Sequence, residues 1–402
     1  MIKPIFITKV MLRNYKSIGY CDVSLGKLTY LVGANGSGKS NFLDALHLVR
    51  DALSGSLDNA LNERGGLSEV RRRSSGHPTR FGIRLEFSLA TTGQPGYYAF
   101  TIAALAGRGY EVLTEKCVIQ GAGKGTFFQI DRGRLQGSSE GIFPSVTADR
   151  LALVVASGLT AFRPVFDAFT HMGFYNLNPK LMRELQKPQE GRLLKPAGEN
   201  IASVIGHLER LAPDQLALVQ QYLQTVAPMV HGVERKPVGP METLEFRQDM
   251  VGAKHPWRFL AQNMSDGTLR ALGVLAALFQ GNRDYSPTLV GIEEPETALH
   301  PAASAALREA LTRASEETQV IVTSHSPDLL DDMNLSADAL LAVVSEGGET
   351  RIASLDPASR EVMRQRLFSA GELLRLNQLA PDPAALAAQQ QGQADFFGEI
   401  EG

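Results

Sequence analysis

Apolar and polar positions along the 402-residue chain follow two periods, and their alternation predicts a mixed α/β protein. Near the N terminus, Leu28, Tyr30, Leu31 and Val32 form a short apolar run that predicts a buried strand. Just beyond it, Phe42, Leu43, Ala45, Leu46 and Leu48 recur at the spacing of one helix face. The runs FGIRLEFSLA (81–90) and YYAFTIAAL (97–105) predict antiparallel strands. From about residue 146 the pattern turns helical: NIASVIGHLERL places Ile201, Val204, Ile205, Leu208 and Leu211 on one face, and DQLALVQQYLQTV continues the tendency. The expected organisation is an N-terminal lobe over 1–145, a helical insert over 146–240 and a C-terminal lobe over 241–380. The last segment, 381–402, is rich in Ala, Gln and acidic residues and is expected to be a flexible, frayed tail.

The junctions between these elements carry the chemistry. Residues 33–40 read GANGSGKS, which fits G-x-x-x-x-G-K-[ST] between the predicted strand and the amphipathic helix. In such a P-loop, backbone N–H groups cradle phosphates, Lys39 reaches the β/γ-phosphates and the Ser40 hydroxyl ligates Mg²⁺. The following helix turns its positive end toward the same anion. Far downstream, TLVGIEEPETALHP (288–301) sets Leu289, Val290 and Ile292 before two carboxylates, as in a Walker B strand whose carboxyl end meets the ligand. Successive strand residues face opposite ways, so Glu293 is expected to hold the metal and Glu294 to polarise the attacking water.

Two shorter patterns narrow the class. In NMSDGTLR (263–270), Ser265 and Gly267 stand at a predicted helix N terminus ahead of the apolar stretch ALGVLAALF. Alone, this is an ordinary cap. In IVTSHSP (321–327) an apolar strand delivers His325 to its end, where a structural histidine and a γ-phosphate sensor are both open readings. Their order along the chain, P-loop, capped SDG, double-acid strand and histidine, favours the functional readings.

With these motifs in place, the chain resembles the ABC-type ATPases of the SMC/RecF/OLD group. LRNYKSI (12–18) is similar to that group's opening strand and turn, SDG to its signature motif, IEEPE to its Walker B, ALHP to its D-loop and TSHSP to its H-loop. The resemblance implies an ABC-type ATPase head with an antiparallel β subdomain and an inserted helical subdomain, using ATP and Mg²⁺. It assigns nucleotide binding to Gly33, Asn35, Gly36, Ser37, Gly38, Lys39, Ser40 and Asn41, metal binding to Ser40 and Glu293, and catalysis to Glu294 with His325 as the switch. Ser265 and Gly267 would contact nucleotide held by a second copy of the chain. The pattern departs from many relatives in having Glu293 where Asp is common. A Q-loop glutamine has no clear position, with Gln120 standing either as that residue or as a surface glutamine.

Composition bounds the partners. With 44% hydrophobic and 21% charged residues the chain can bury a large core over two or three structural units. No apolar run approaches the roughly 20 residues that span a bilayer, and the N-terminal stretch has no signal-peptide pattern, so no membrane role is expected. Only Cys21 and Cys117 are present, which gives neither a disulfide framework nor a Cys-based zinc motif and agrees with a cytoplasmic setting. Net charge is −3, so nothing global calls for nucleic acid. Locally, Arg71, Arg72, Arg73 and Arg80 are either a patch contacting phosphates of DNA or of nucleotide, or a solvated or carboxylate-paired cluster.

No sustained heptads, zinc hook or D-x-D pair is present, so an armless head without its own Toprim nuclease is expected. Three roles then compete: an ATP-driven sensor or scaffold acting with a separately encoded, Toprim-type or related nuclease in anti-phage defence, a RecF-like DNA-maintenance ATPase, and a transporter subunit. The SMC-like P-loop flank and the helical insert disfavour the last. Phe396 and Phe397, in an otherwise polar tail, are candidate docking residues.

Overall fold

The computed structural model describes residues 5–74, 78–89, 93–105, 107, 109–121, 125–281, 285–391 and 396–398. They fall into two compact units, one built from residues 2–172, 334–368 and 373–402 and the other from 173–333 with 369–372. The expected insert over 146–240 is therefore divided at residue 172. Its first part belongs with the P-loop because Phe169 packs edge-on against Phe87 at 5.9 Å and tilted against Tyr98 at 5.8 Å.

The first unit contains strands β1 (Ile5–Tyr15), β2 (Ile18–Ser24), β3 (Leu28–Val32), β4 (Arg80–Leu89), β5 (Pro95–Ala104), β6 (Tyr110–Ile119), β7 (Thr126–Asp131) and β8 (Arg134–Ser138). The second contains β9 (Gly173–Tyr175), β10 (Val230–Val238), β11 (Met241–Gln248), β12 (Trp257–Leu260), β13 (Leu289–Glu293) and β14 (Gln319–Ser324), after which β15 (Leu340–Glu346) and β16 (Glu349–Ser354) return to the first. Strand order in the first unit is β8-β7-β6-β5-β4-β1-β2-β16-β15-β3. Most of its pairs are antiparallel, and the two alternating runs pair as β4 and β5 with Leu85 opposite Tyr98. The strand ahead of the P-loop joins β15 in parallel, Leu31 opposite Leu341.

The helix Lys39–Ser54 follows β3 and buries Phe42, Leu43, Ala45, Leu46 and Leu48, the face its spacing predicts. Its polar side is tied down by charge. Asp44 accepts from Tyr15 Oη at 2.7 Å and Arg64 Nε at 2.8 Å and pairs with Lys16, while Arg64 also reaches Asp51 at 2.9 Å. Burial opposes ionisation of Asp44, but Arg64 and Lys16 outweigh it and hold the carboxyl below its ordinary range.

In the second unit, β13 runs parallel between β14 and β9, whereas β10, β11 and β12 form a separate antiparallel sheet. The helix Ile201–Leu211 buries Ile201, Val204, Ile205 and Leu208. Leu211, expected on the same face, is 63% exposed because the helix ends there and the chain turns at Ala212. The next helix, Pro213–Val226, stacks Tyr222 on Phe279 of the helix Asp266–Phe279, with ring planes 1° apart and centroids 5.7 Å apart.

The tail departs from the expected fraying. A helix forms over Pro383–Gln391, and Gln389 Nε2 donates to the carbonyls of Asp22 and Ile352 at 2.9 Å each. Phe396 is buried among Met11, Tyr20, Tyr97 and Ala99. Arg84 donates to the carbonyls of Phe396 and Gly398, and Tyr97 Oη to that of Phe397 at 2.9 Å. The aromatic pair is thus used within the chain, on a sheet face that the polar local sequence does not announce.

Glu115 on β6 is fully buried and accepts from Tyr98 Oη and from the backbone N–H groups of Ala152 and Leu153. Burial outweighs these hydrogen bonds and pushes its carboxyl up to about 7. A raised value means the folded state holds the proton more tightly than the unfolded chain, so this contribution is complete below the ordinary value and is lost as pH rises through about 7. Denaturant titrations from pH 4 to 8 should show the stability advantage of wild type over Glu115→Gln shrinking with pH, by on the order of 3 kcal/mol for a shift of this size.

Candidate functional site

The P-loop has little space around it. A Cβ built on Gly33 would lie 2.0 Å from the Val343 carbonyl oxygen, and one on Gly38 would lie 2.0 Å from Thr350 Oγ1. Gly38 also has φ of 102° and Gly36 of 76°, conformations that favour glycine, although nothing crowds Gly36. The motif's glycines therefore answer to three different demands: close approach, backbone conformation and both together.

Thr350 on β16 organises the loop from outside. Its hydroxyl donates to the Ser37 carbonyl at 2.8 Å and shares a 2.7 Å hydrogen bond with Ser17 Oγ, which accepts from Asn41 Nδ2 at 2.6 Å. Ser17 lies in the LRNYKSI stretch, so the opening turn and the P-loop are joined through one buried threonine. Lys39 is 5% exposed and its ammonium donates to the carbonyls of Gly33 and Ala34 at 2.8 and 2.9 Å. Ser37 Oγ is buried with no hydrogen-bond partner among the described residues, while Asn35, Gly36 and Ser40 are exposed. A loop with a cation folded into it and an unused buried hydroxyl is suited to receiving a multi-oxygen anion.

The acids and the histidine lie in the other unit. Glu293 ends β13, and Glu294 follows in a left-handed conformation with φ of 44°. That conformation costs about 1–3 kcal/mol for a residue with a side chain and persists only where its surroundings fix it. Here Glu294 N–H donates to Thr323 O at 3.0 Å, and buried Arg270 donates to the carbonyls of Glu293 and Glu294 at 3.2 and 3.1 Å and of Leu177 at 2.9 Å. Burial lowers the Arg270 pKa despite three nearby glutamates. The Glu294 Oε1 and His325 Nδ1 atoms meet at 3.1 Å.

Arg270 falls within the SDG stretch yet had no role from sequence, because its partners are main-chain carbonyls that leave no side-chain pattern. Ser265 caps the helix Asp266–Phe279 by accepting from Thr268 N–H at 3.2 Å. Gly267 abuts the ALHP turn: a Cβ there would lie 2.5 Å from the Ala298 carbonyl oxygen, and Ala298 itself has φ of 65°. In the same turn Glu296 is buried and accepts from Ser324 Oγ at 2.6 Å, burial raising its carboxyl against that hydrogen bond.

Each unit brings together its share of the predicted residues. The P-loop set Gly33, Asn35, Gly36, Ser37, Gly38, Lys39, Ser40 and Asn41 lies in one, and Ser265, Gly267, Glu293, Glu294 and His325 in the other. Of the arginine cluster, Arg72 makes a two-pronged contact with Glu349 at 3.0 and 3.2 Å and Arg73 pairs with Glu69, whereas Arg71 donates to Pro78 O and Arg80 is exposed at the start of β4. Gln120 is an exposed residue just after β6 whose N–H bonds Pro95 O. Among the described residues no group of three or more His, Cys, Asp or Glu is disposed to hold a metal, and no helix is long and apolar enough to cross a membrane.

A family model described as "AAA domain, putative AbiEii toxin, Type IV TA system" matches residues 28–116 and 246–331, the segments that contain the P-loop and the SDG, double-acid and histidine motifs. No curated protein matches the chain. Among solved structures, an SMC head bound to the C-winged helix domain of ScpA is 16% identical with a TM-score of 0.56, covering 89% of this chain and 99% of that chain. An Smc head domain with an extended coiled coil from Pyrococcus furiosus, bound to the C-terminal domain of ScpA, is 15% identical with a TM-score of 0.55 over 90% and 99%. These likenesses establish the fold as that of SMC heads.

The loop geometry predicts unequal glycine substitutions. Gly33→Ala should destabilise the protein by about 2 kcal/mol or more, since backbone must move to admit the Cβ, whereas Gly36→Ala should cost about 1 kcal/mol from its left-handed conformation alone. Urea titration of the two variants beside wild type measures the difference.

Proposed function

We propose that this chain is an ATP-binding and ATP-hydrolysing head that works as a pair with a second copy of itself. The observation that carries the reading is the P-loop, with Lys39 folded onto Gly33 O and Ala34 O beside the unpartnered Ser37 hydroxyl. Incoming phosphate oxygens replace those two carbonyls as acceptors for Lys39, and the N–H groups of Gly36 to Ser40 and the start of the following helix supply further donors.

Ser40 and Glu293 are hard oxygen donors of the kind that hold Mg²⁺ together with substrate phosphates and water, which is why a dedicated cage of side chains is not required. When bound, Mg²⁺ neutralises charge on the β- and γ-phosphates. Glu294 serves as the base that orients the attacking water, and its 3.1 Å contact with His325 supports a histidine placed to respond to the γ-phosphate. The exposed Ser265 hydroxyl and the Gly267 backbone form a cap suited to nucleotide held by the second copy, so that two heads complete two sites.

We place the head as a sensor or scaffold that governs a separately encoded effector, with a Toprim-type or related nuclease in anti-phage defence as the leading case. The match to a family described by a putative toxin of a Type IV TA system supports a role beside a second gene product. The neutralised pairing of Arg72 and Arg73 weighs against the RecF-like alternative of direct DNA contact through this cluster.

In calorimetric titrations Lys39→Ala should weaken ATP binding at least tenfold, while Glu294→Gln should bind like wild type and lose turnover by a factor of about 100 or more. Wild-type hydrolysis by Glu294→Gln would remove the catalytic assignment. Light scattering of Glu294→Gln with ATP and Mg²⁺ should show an increase in mass that Ser265→Arg abolishes; a steady monomer under every condition would refute the paired-head model. Co-purification with the product of a neighbouring gene, followed by a nucleic-acid cleavage assay, tests the effector. Metal-dependent cleavage by this chain alone would overturn control in trans.

A further inference from the structure

Residues 293–299 and 323–326 meet through more than the Glu294 and His325 side chains. Ser324 Oγ donates to Glu296 Oε1 at 2.6 Å and accepts from Ser326 N–H at 3.0 Å, so one hydroxyl holds both neighbours of His325. Glu296 Oε2 is buried with no hydrogen-bond partner among the described residues. A buried acid with one oxygen used and one idle costs free energy unless its position serves something else. The Glu296 backbone belongs to the turn that touches the SDG helix, where Ala298 O fills the space a Gly267 side chain would need. Thr297 N–H bonds Glu294 O and Leu299 N–H bonds Glu296 O, which makes the turn from Glu294 to Leu299 a continuous hydrogen-bonded piece.

From this geometry we infer that Glu296 is a positioning residue: through Ser324 it fixes the loop that carries His325, and through its own turn it links that loop to the Gly267 end of the SDG helix. The inference rests on the ATPase reading above for its functional consequence, not for its structural one. A displacement of the Gly267 end presses on Ala298 O, moves the turn as a unit and carries Glu296 Oε1 with it. Ser324 follows the carboxylate, and His325 shifts relative to Glu294. The residue touches none of the atoms assigned to the reaction. Its task is to make the Glu294–His325 contact depend on what the SDG helix meets.

The test uses the full chain with Glu296→Ala, Glu296→Gln, Ser324→Ala and the double variant Glu296→Ala/Ser324→Ala. Glutamine retains an acceptor oxygen for Ser324, so Glu296→Gln should keep kcat for ATP within about threefold of wild type, while Glu296→Ala and Ser324→Ala should each lower it about tenfold or more at unchanged KM. The double variant should be no worse than the poorer single, as expected of two residues acting through one bond.

A second measurement needs no activity: the ring NMR signal of His325, assigned by its loss in His325→Gln, should move in Glu296→Ala and Ser324→Ala and return in Glu296→Gln, while His231 stays fixed. An unmoved His325 signal in Glu296→Ala overturns the inference whatever the kinetics. Equal loss in Ala and Gln variants with a parallel rise in KM also overturns it, by marking a packing defect. If Lys39→Ala hydrolyses ATP like wild type, the ATPase reading fails, and the NMR result still decides the positioning role.

Discussion

The P-loop depends on a hydroxyl 313 residues downstream of it, the one Thr350 donates to the Ser37 carbonyl. A glycine-rich loop pays heavily in backbone entropy to hold one shape, and from within it Lys39 bonds the carbonyls of Gly33 and Ala34 but leaves the Ser37 carbonyl to an outside donor. Thr350 supplies that constraint from β16, and β16 is paired to β15, which in turn flanks the strand leading into the loop. The same threonine leaves no room for a side chain at Gly38. Conformation and anchoring are therefore one requirement: any residue larger than glycine would displace the group that keeps the loop in place. Ser17 and Asn41 extend the contact to both sides, which ties the opening turn and the first turn of the helix to the same point.

The second unit solves a parallel problem with charge in place of a hydroxyl. Glu294 sits in a left-handed conformation at the end of a buried strand, where main-chain carbonyls would lose their solvent. Arg270 satisfies three of them at once with a planar, multi-donor group that lysine could not imitate. Glu294, Glu296 and Glu293 favour its charged form, although burial outweighs them. The product is a turn whose backbone is held at Glu293 and Glu294 by one side chain that also reaches Leu177.

Much of this was legible in the sequence, and what was not has an identifiable cause. Elements with their own period, such as the helix after the P-loop and the β4–β5 pair, were read correctly because burial imposes that period directly. The P-loop, the double-acid stretch and His325 fall at the ends of β3, β13 and β14, where the apolar runs placed them. Leu211 was misplaced because helical spacing continues past the point where the chain turns. Arg270 and Thr350 were invisible because each acts on main-chain oxygens far away in sequence. Phe396 was read as a docking residue on a frayed tail because composition describes a segment and not the cluster of Met11, Tyr20, Tyr97 and Ala99 it enters. The arginine run could be read either way until Glu349 was found against Arg72.

The two left-handed residues Glu294 and Ala298 bracket Glu296, and their placement bears on how a signal could cross this unit. A flexible loop would absorb a push at Gly267 by changing one dihedral angle. This turn has few such angles to spare: its ends are held in uncommon conformations, its interior is hydrogen-bonded from Thr297 to Glu294 and from Leu299 to Glu296, and Arg270 pins its start. Strain that is over-determined in this way favours movement of the piece as a whole. Packed elements of that kind have discrete alternatives rather than a continuum, because close packing resists gradual deformation. On the paired-head reading, contact at the SDG helix therefore bears on His325 through this turn, with Glu296 as the side chain that joins the two.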